Sequence, residues 1–347
     1  MVALLCRSLR CSTQVGDNPF ILLYVFTSYR WAHSAVLVND ALYVYGGKID
    51  QSNQYSYTSA PNTNELLYLS LSTTFSVQSP SWQLLDSSQG PAIAWHTLAA
   101  INNSQVLLFG GQPDPNSLTV IPTGADSAWI LDVSSRTSPA WIQEPQGWAG
   151  QPIRRIRHST ATAPDGRVFI FGGEKADNSH TAFPDHYYFD PVSTTFQSLS
   201  TANAPPDLYG HVSIILPDGR ILVFGGYCTS QAIFLPFSTI RVLNVSNMHW
   251  TVVTTNTSTP PIPRIAFAAT HLGGGLILVH GGGDLDPQSS YMDGWILDTK
   301  SWTWTPVDAL SQIGAKRDHF AVTIGGQVIF GFGKHRRSIS FSRNIQL

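Results

Sequence analysis

Apolar residues in this chain come in short dense runs, with no stripe of helical period. Six times an apolar stretch is followed by a polar turn, a second apolar stretch and then glycine. The copies are RWAHSAVLVNDALYVYGG, IAWHTLAAINNSQVLLFGG, RIRHSTATAPDGRVFIFGG, LYGHVSIILPDGRILVFGG, RIAFAATHLGGGLILVHGG and KRDHFAVTIGGQVIFGFG. Turns such as Pro-Asp-Gly, Asn-Asn-Ser and Gly-Gly accept the backbone angles of a tight reversal, so each copy predicts a β-hairpin. The second runs, VFIF and ILVF among them, are apolar at every position, which predicts strands buried on both faces. Beyond a variable loop a third strand is expected at LLYLSL, AWILDV, YYFDP, IRVLNV and GWILDT. A fourth is marked by Trp82, Trp141, Phe196, Trp250 and Trp302 with Trp304. The sixth copy has its hairpin alone.

Four strands per unit, with both faces buried, describe a blade that stacks radially on its neighbours. The reference positions His33, His96, His158, His211, Phe267 and His319 recur every 52 to 63 residues. A period of about 50, rather than about 40–45, separates kelch repeats from WD-type blades. On these residues the chain resembles the kelch β-propeller family, whose fold is also built into galactose oxidase, and in particular kelch proteins of fungi. The likeness spans residues 30–333. It implies an all-β, six-bladed kelch propeller over 19–335, after a ragged segment 1–18 and before a tail 336–347. The last blade is either incomplete or closed by the termini, with PFILLYVFTS (19–28) and SISFS (338–342) as closing strands. Abrupt loss of repeat character after Gly333 favours a cut in the coding sequence, since Gly333-Lys334 can be encoded as a splice donor.

Composition narrows the function classes. A chain of 347 residues would ordinarily suggest two domains, but a repeat ring absorbs that length in one. Charged residues are only 12%, with 20 basic and 22 acidic side chains and a net charge of −2. That balance excludes a nucleic-acid groove and a polybasic membrane patch. Cys6, Cys11 and Cys228 make neither a disulfide framework nor a zinc spacing. The early apolar run from Phe20 to Phe26 is far short of the ~20 residues of a membrane helix, so no membrane span is expected. Sequons at Asn102, Asn244 and Asn256 lean towards an extracellular or membrane-associated glycoprotein. A missing signal sequence makes the cytoplasm the alternative.

The repeating histidine invites a metal reading, but Phe267 holds the same position in repeat five. A packing site tolerates that exchange and a ligand site does not. Three residues earlier stand Arg30, Arg155, Arg264 and Lys316, with Arg317 adjacent; repeats two and four have Ile93 and Leu208 there. In kelch propellers this loop lies at one mouth of the channel, so the resemblance implies a ring of cations that grips an acidic peptide. The alternative is an inter-blade salt bridge to an acid, and pairing with an acid of the same blade would equally remove the ring. The loops after the glycines carry Tyr55, Tyr57, Phe183, Phe237 and Tyr291, suited to peptide or carbohydrate contact unless they fold down as plugs. Glu174, Asp177 and His180 form E-x-x-D-x-x-H. Each gap is one residue shorter than in the iron-binding kelch proteins of glucosinolate breakdown, so this remains a weak metal candidate beside a plain solvated loop. Galactose oxidase chemistry would need a copper held by two Tyr and two His, with a Tyr–Cys cross-link. Cys228 has no such set around it. The sequence therefore reads as a non-catalytic interaction module that needs no cofactor and binds a protein or peptide. A galactose-oxidase-like oxidase or a carbohydrate-binding propeller is the alternative.

Overall fold

Each repeat folds as the hairpin its turn residues predict. The computed structural model describes residues 11–15, 18–25, 29–72, 79–114, 127–144 and 147–335. It is almost entirely β, built of four-stranded sheets resembling propeller blades. In the first sheet Ser34–Val38, Ala41–Tyr45, Leu66–Ser70 and Gln83–Leu85 run antiparallel from the inside outwards. Four further sheets repeat this order, beginning at the inner strands Ile93–Ala100, Ser159–Thr162, Val212–Ile215 and Ala268–Gly273.

The sixth sheet departs from the pattern. Its hairpin, Phe320–Ile324 and Gln327–Gly331, is extended by Asn18–Val25, which runs parallel to Gln327–Gly331 with Ile21 opposite Gln327. Cys11–Val15 pairs antiparallel on the outside of that strand. The expected closing segment SISFS lies outside the described residues.

Inner strands touch in chain order, and Phe320–Ile324 of the sixth sheet touches Ser34–Val38 of the first. A separate apolar core fills each junction. Tyr43, Tyr45 and Leu66 meet Ile93, Leu108 and Leu131 between sheets one and two. Leu42, Val44 and Leu69 meet Phe320, Ile329 and Phe332 between sheets one and six. The continuous apolar second runs are explained by this: each second strand serves a core on either side.

The glycine pairs set the spacing of these sheets. A Cβ at Gly46 would stand 2.6 Å from the Ile93 carbonyl of the next sheet, and one at Gly281 would stand 2.5 Å from the Lys316 carbonyl. Both glycines also lie at positive φ, +63° and +67°, which L side chains rarely adopt. The second glycine donates its N–H across the same junction: Gly47 to the Ile93 carbonyl, Gly173 to Leu208, Gly226 to Arg264, Gly282 to Lys316 and Gly333 to Arg30. The last of these joins sheet six to sheet one in the register of the others.

Candidate functional site

The residue before each reference position also adopts positive φ: Ala32, Trp95, Arg157, Gly210, Ala266 and Asp318. Backbone bonds link these residues from sheet to sheet, Trp95 N–H to the Ala32 carbonyl, Arg157 to Trp95, Gly210 to Arg157, Ala266 to Gly210 and Asp318 to Ala266. They surround an axial pocket of about 190 Å³ that is also lined by all six reference side chains. His33 packs edge-on against Phe332, His96 against Tyr45 and His158 against Phe109, with ring centroids 5.1 to 5.7 Å apart. Burial pushes His96 and His211 down to about 3, so these imidazoles are neutral spacers.

The cation ring is corrected by the structure. Arg155 is fully buried and donates to the Gly172 carbonyl at 3.0 Å and to Asp185 at 2.7 Å. Arg264 donates to the Gly281 carbonyl at 3.0 Å and forks onto both Asp293 oxygens at 2.6 and 2.7 Å. Arg30 repeats the arrangement with the Gly46 carbonyl and Glu65. Lys316 gives its Nζ to the Phe332 carbonyl at 3.0 Å, and burial lowers its pKa to about 7. Each cation holds the glycine turn of its own sheet, and Arg30, Arg155 and Arg264 also bind that sheet's acid, so the four do not form an exposed ring for ligand. Arg317 is buried as well, donating to the Asp286 and Ser289 carbonyls at 2.8 and 3.2 Å.

The loop aromatics divide. Phe183 and Tyr291 cover the Arg155 and Arg264 guanidinium groups at 4.4 and 4.7 Å. Phe237 is no mouth residue; it is buried between sheets four and five beside Phe224, Phe267 and Trp304. Tyr57 folds down and Tyr55 stays exposed. The weak metal triad does not assemble. Glu174 is buried between Arg157 Nη1, at 2.8 Å, and His180 Nδ1, at 3.3 Å. The exposed Asp177 instead accepts the Ser179 N–H of its own turn. Among the described residues no three His, Cys, Asp or Glu side chains group to hold a metal.

Loops of the first three sheets enclose a cleft of about 560 Å³ beside the axial pocket, and Trp95 and Arg157 line both. One wall is stiff. Lys48 donates to the Ala60 carbonyl and Asn62 Oδ1 at 2.8 and 2.9 Å, while the Asn62 N–H binds Asp114 at 2.7 Å. Lys48 also lies 5.1 Å over the Trp95 ring, and burial lowers its pKa to about 8. The opposite wall is the turn carrying Lys175, Asn178 and His180. Sequence reasoning missed Lys48 and Trp95 as lining residues. Trp95 and Arg157 share the position before the reference residue, which was the available signal.

Residues 95–333 match the KLHDC2/KLHL20/DRC7 kelch-repeats domain. The chain belongs to this kelch-repeat family. Curated relatives include an adagio-like protein 3 of rice, 26% identical over 73% of this chain and 38% of its own length. A putative adagio-like protein 2 of rice is 31% identical over 58% of this chain and 32% of its own. An acyl-CoA-binding domain-containing protein of Arabidopsis thaliana is 25% identical over 59% and 32%. The chain thus spans about a third of the length of these relatives. Membership rests on the kelch domain, and these matches show no specific likeness to galactose oxidase or to fungal proteins.

Proposed function

We propose that this kelch chain is a six-bladed ring, closed by its N-terminal strand, that works as a non-catalytic protein-interaction module. Closure is supported by the Gly333–Arg30 backbone bond and by the apolar core joining sheets six and one. The observation carrying the function is the cleft on sheets one to three, a concave surface with one stiff wall on a rigid β frame. It brings Lys48, Lys175 and Arg157 against Asp114 and Glu174, with Trp95 and Tyr55 as apolar faces. Such a mixed surface suits a peptide of mixed polarity better than a strongly acidic one. The oxidase alternative is the less favoured, since Cys228 is buried and its thiol donates to Asp207 at 3.4 Å.

Peptides selected from a random display library against the intact protein test this reading. Tyr55→Ala and Lys175→Glu, both at exposed cleft positions, are expected to weaken the selected peptides at least about tenfold, ~1.4 kcal/mol each. Val192→Asp, on an exposed turn outside the cleft, should leave them unchanged. Peptides indifferent to both cleft variants would remove the site. For compartment we propose the secretory pathway: Asn102 and Asn256 are exposed at bends, and Asn244 is exposed at the end of the strand Thr239–Asn244. A glycosidase-sensitive mobility shift of the expressed protein is expected, and its absence overturns that assignment.

A further inference from the structure

In sheets one to five the strands alternate in direction from the inside outwards, so the fourth strand runs the same way as the second. The fourth strand also leads into the inner strand of the next sheet, as Gln83–Leu85 leads into Ile93–Ala100. Asn18–Val25 has both properties. It runs parallel to Gln327–Gly331 and leads into Ser34–Val38 of sheet one. By direction and by chain order it is a fourth strand, yet it pairs in third place. Among the described residues no antiparallel strand stands between the two.

The chain's own third strands define what fits that place. Leu69 pairs with Leu42, Leu131 with Val106, Phe189 with Val168, Leu243 with Ile221 and Leu297 with Ile277. All five third-strand residues are buried, and each joins the core shared with the preceding sheet. Val328 is the counterpart in sheet six, buried in the core towards sheet five. In sheets two to five the next residue is Asp132, Asp190, Asn244 or Asp298, whose side chain accepts an N–H two places on. Glu65, Asp185 and Asp293 head third strands and take the stapling arginines. Lys316 holds the arginines' position in sheet six, giving its Nζ to the Phe332 carbonyl. Entry of an antiparallel strand would exchange a parallel ladder of five residue pairs, the less stable kind per residue, for an antiparallel ladder on each side of the newcomer. Asn18–Val25 would have to step out by ~4.8 Å. Unpairing Tyr24 and Val25 lengthens the link to Arg30 by roughly 7 Å, which is sufficient. The Gly333–Arg30 bond and the core towards sheet one are made by the inner hairpin and its turn, so they survive the step.

We infer that sheet six is a strand-accepting site: an extended segment of a partner protein enters antiparallel between Gln327–Gly331 and Asn18–Val25. Its chemistry is an acid, three residues rich in aromatic and aliphatic side chains, Leu or Phe opposite Val328, then Asp. Main-chain bonds would supply affinity and the Leu or Phe specificity. This deepens the interaction reading above with a second surface, away from the cleft. The probe is a fluorescent, end-capped Asp-Gly-Trp-Ile-Leu-Asp, a copy of residues 293–298. It should bind the intact chain saturably in an anisotropy titration. The same peptide with Asp in place of its Leu should bind at least about tenfold more weakly. Fused to the tail of an unrelated carrier protein, the six residues should hold that carrier to the chain. Ile21 and Gln327 are paired. With Cys6→Ser and Cys11→Ser, an oxidised Ile21→Cys/Gln327→Cys variant locks the two strands together; it should lose the probe and regain it on reduction. If that disulfide does not form, hydrogen exchange of the unaltered chain is the readout, with the probe speeding exchange at Tyr24 and Val25 and slowing it over 327–331. No saturable binding, equal binding of the Asp peptide, or binding and exchange indifferent to the lock and the probe overturns the inference. Tyr55→Ala and Lys175→Glu should bind the probe as wild type does, so failure of the cleft leaves this result standing.

Discussion

Replacing Arg264 by methionine separates an arginine that builds the fold from one that waits for a ligand. The guanidinium is fully buried and gives four bonds: to the Ile262 carbonyl at 2.8 Å, the Gly281 carbonyl at 3.0 Å and the two Asp293 oxygens. Breaking one side of a buried pair costs about 3–5 kcal/mol. The Asp293 side chain keeps 41% of its exposure, so water screens part of its orphaned charge. That places the pair at the low end, and the abandoned glycine carbonyl adds to it, for a total of about 3 kcal/mol. In a chain of this length that is on the order of 4–5 °C in melting temperature.

Urea and thermal unfolding of Arg264→Met, Asp293→Ala and the double variant measure both cost and coupling, with a coupling of about 1–3 kcal/mol expected. Burial pushes the Asp293 carboxyl up, but the bonds and charge of Arg264 outweigh it and hold its pKa below the usual value. The pair's contribution is therefore whole above the unfolded carboxyl's pKa of about 3.9 and fades as pH falls through the folded value. The penalty of Arg264→Met should be full at neutral pH and shrink in acid. A variant within about 0.5 kcal/mol of wild type, or a coupling near zero, would refute the staple and return Arg264 to the ligand.

Acid should weaken the fold through its buried histidines. His96 and His211 titrate near 3 in the fold against about 6.5 unfolded, so their support is complete above pH ~6.5 and is lost progressively towards pH ~3. The urea midpoint should fall between neutral pH and pH ~5, and His96→Phe, on the precedent of Phe267, should flatten that fall; an unchanged slope counts against it. Gly281→Ala and Gly274→Ala compare two glycines of similar φ, +67° and +62°. Only the first has a carbonyl in the way of a Cβ, with nothing within 4 Å of the second. Equal backbone strain cancels, so Gly281→Ala should cost at least about 2 kcal/mol more in urea unfolding; equal costs would show that sheet contact does not explain the glycine.

Hairpins, their turns, the doubly buried second strands and the third strands were all legible from the sequence, because each depends on neighbours a few residues away and on a period of two. The packing role of the reference histidine was legible too, since Phe267 shows what the position tolerates. The fate of Arg30, Arg155 and Arg264 was not. A shared offset locates a residue in its repeat, but whether its charge meets solvent or an acid depends on Glu65, Asp185 and Asp293, which lie 29 to 35 residues further on across a variable loop. Phe237 and Tyr57 illustrate the same limit, one drawn into a core between sheets and the other onto a carboxylate 261 residues away. The pairing of Asn18–Val25 with the last hairpin, and the cleft that Lys48, Trp95 and Arg157 share, exist only when distant repeats come side by side. Local pattern determined the blades of this chain; contacts between sheets, made by whichever side chains the loops deliver, decided what its mouth contains.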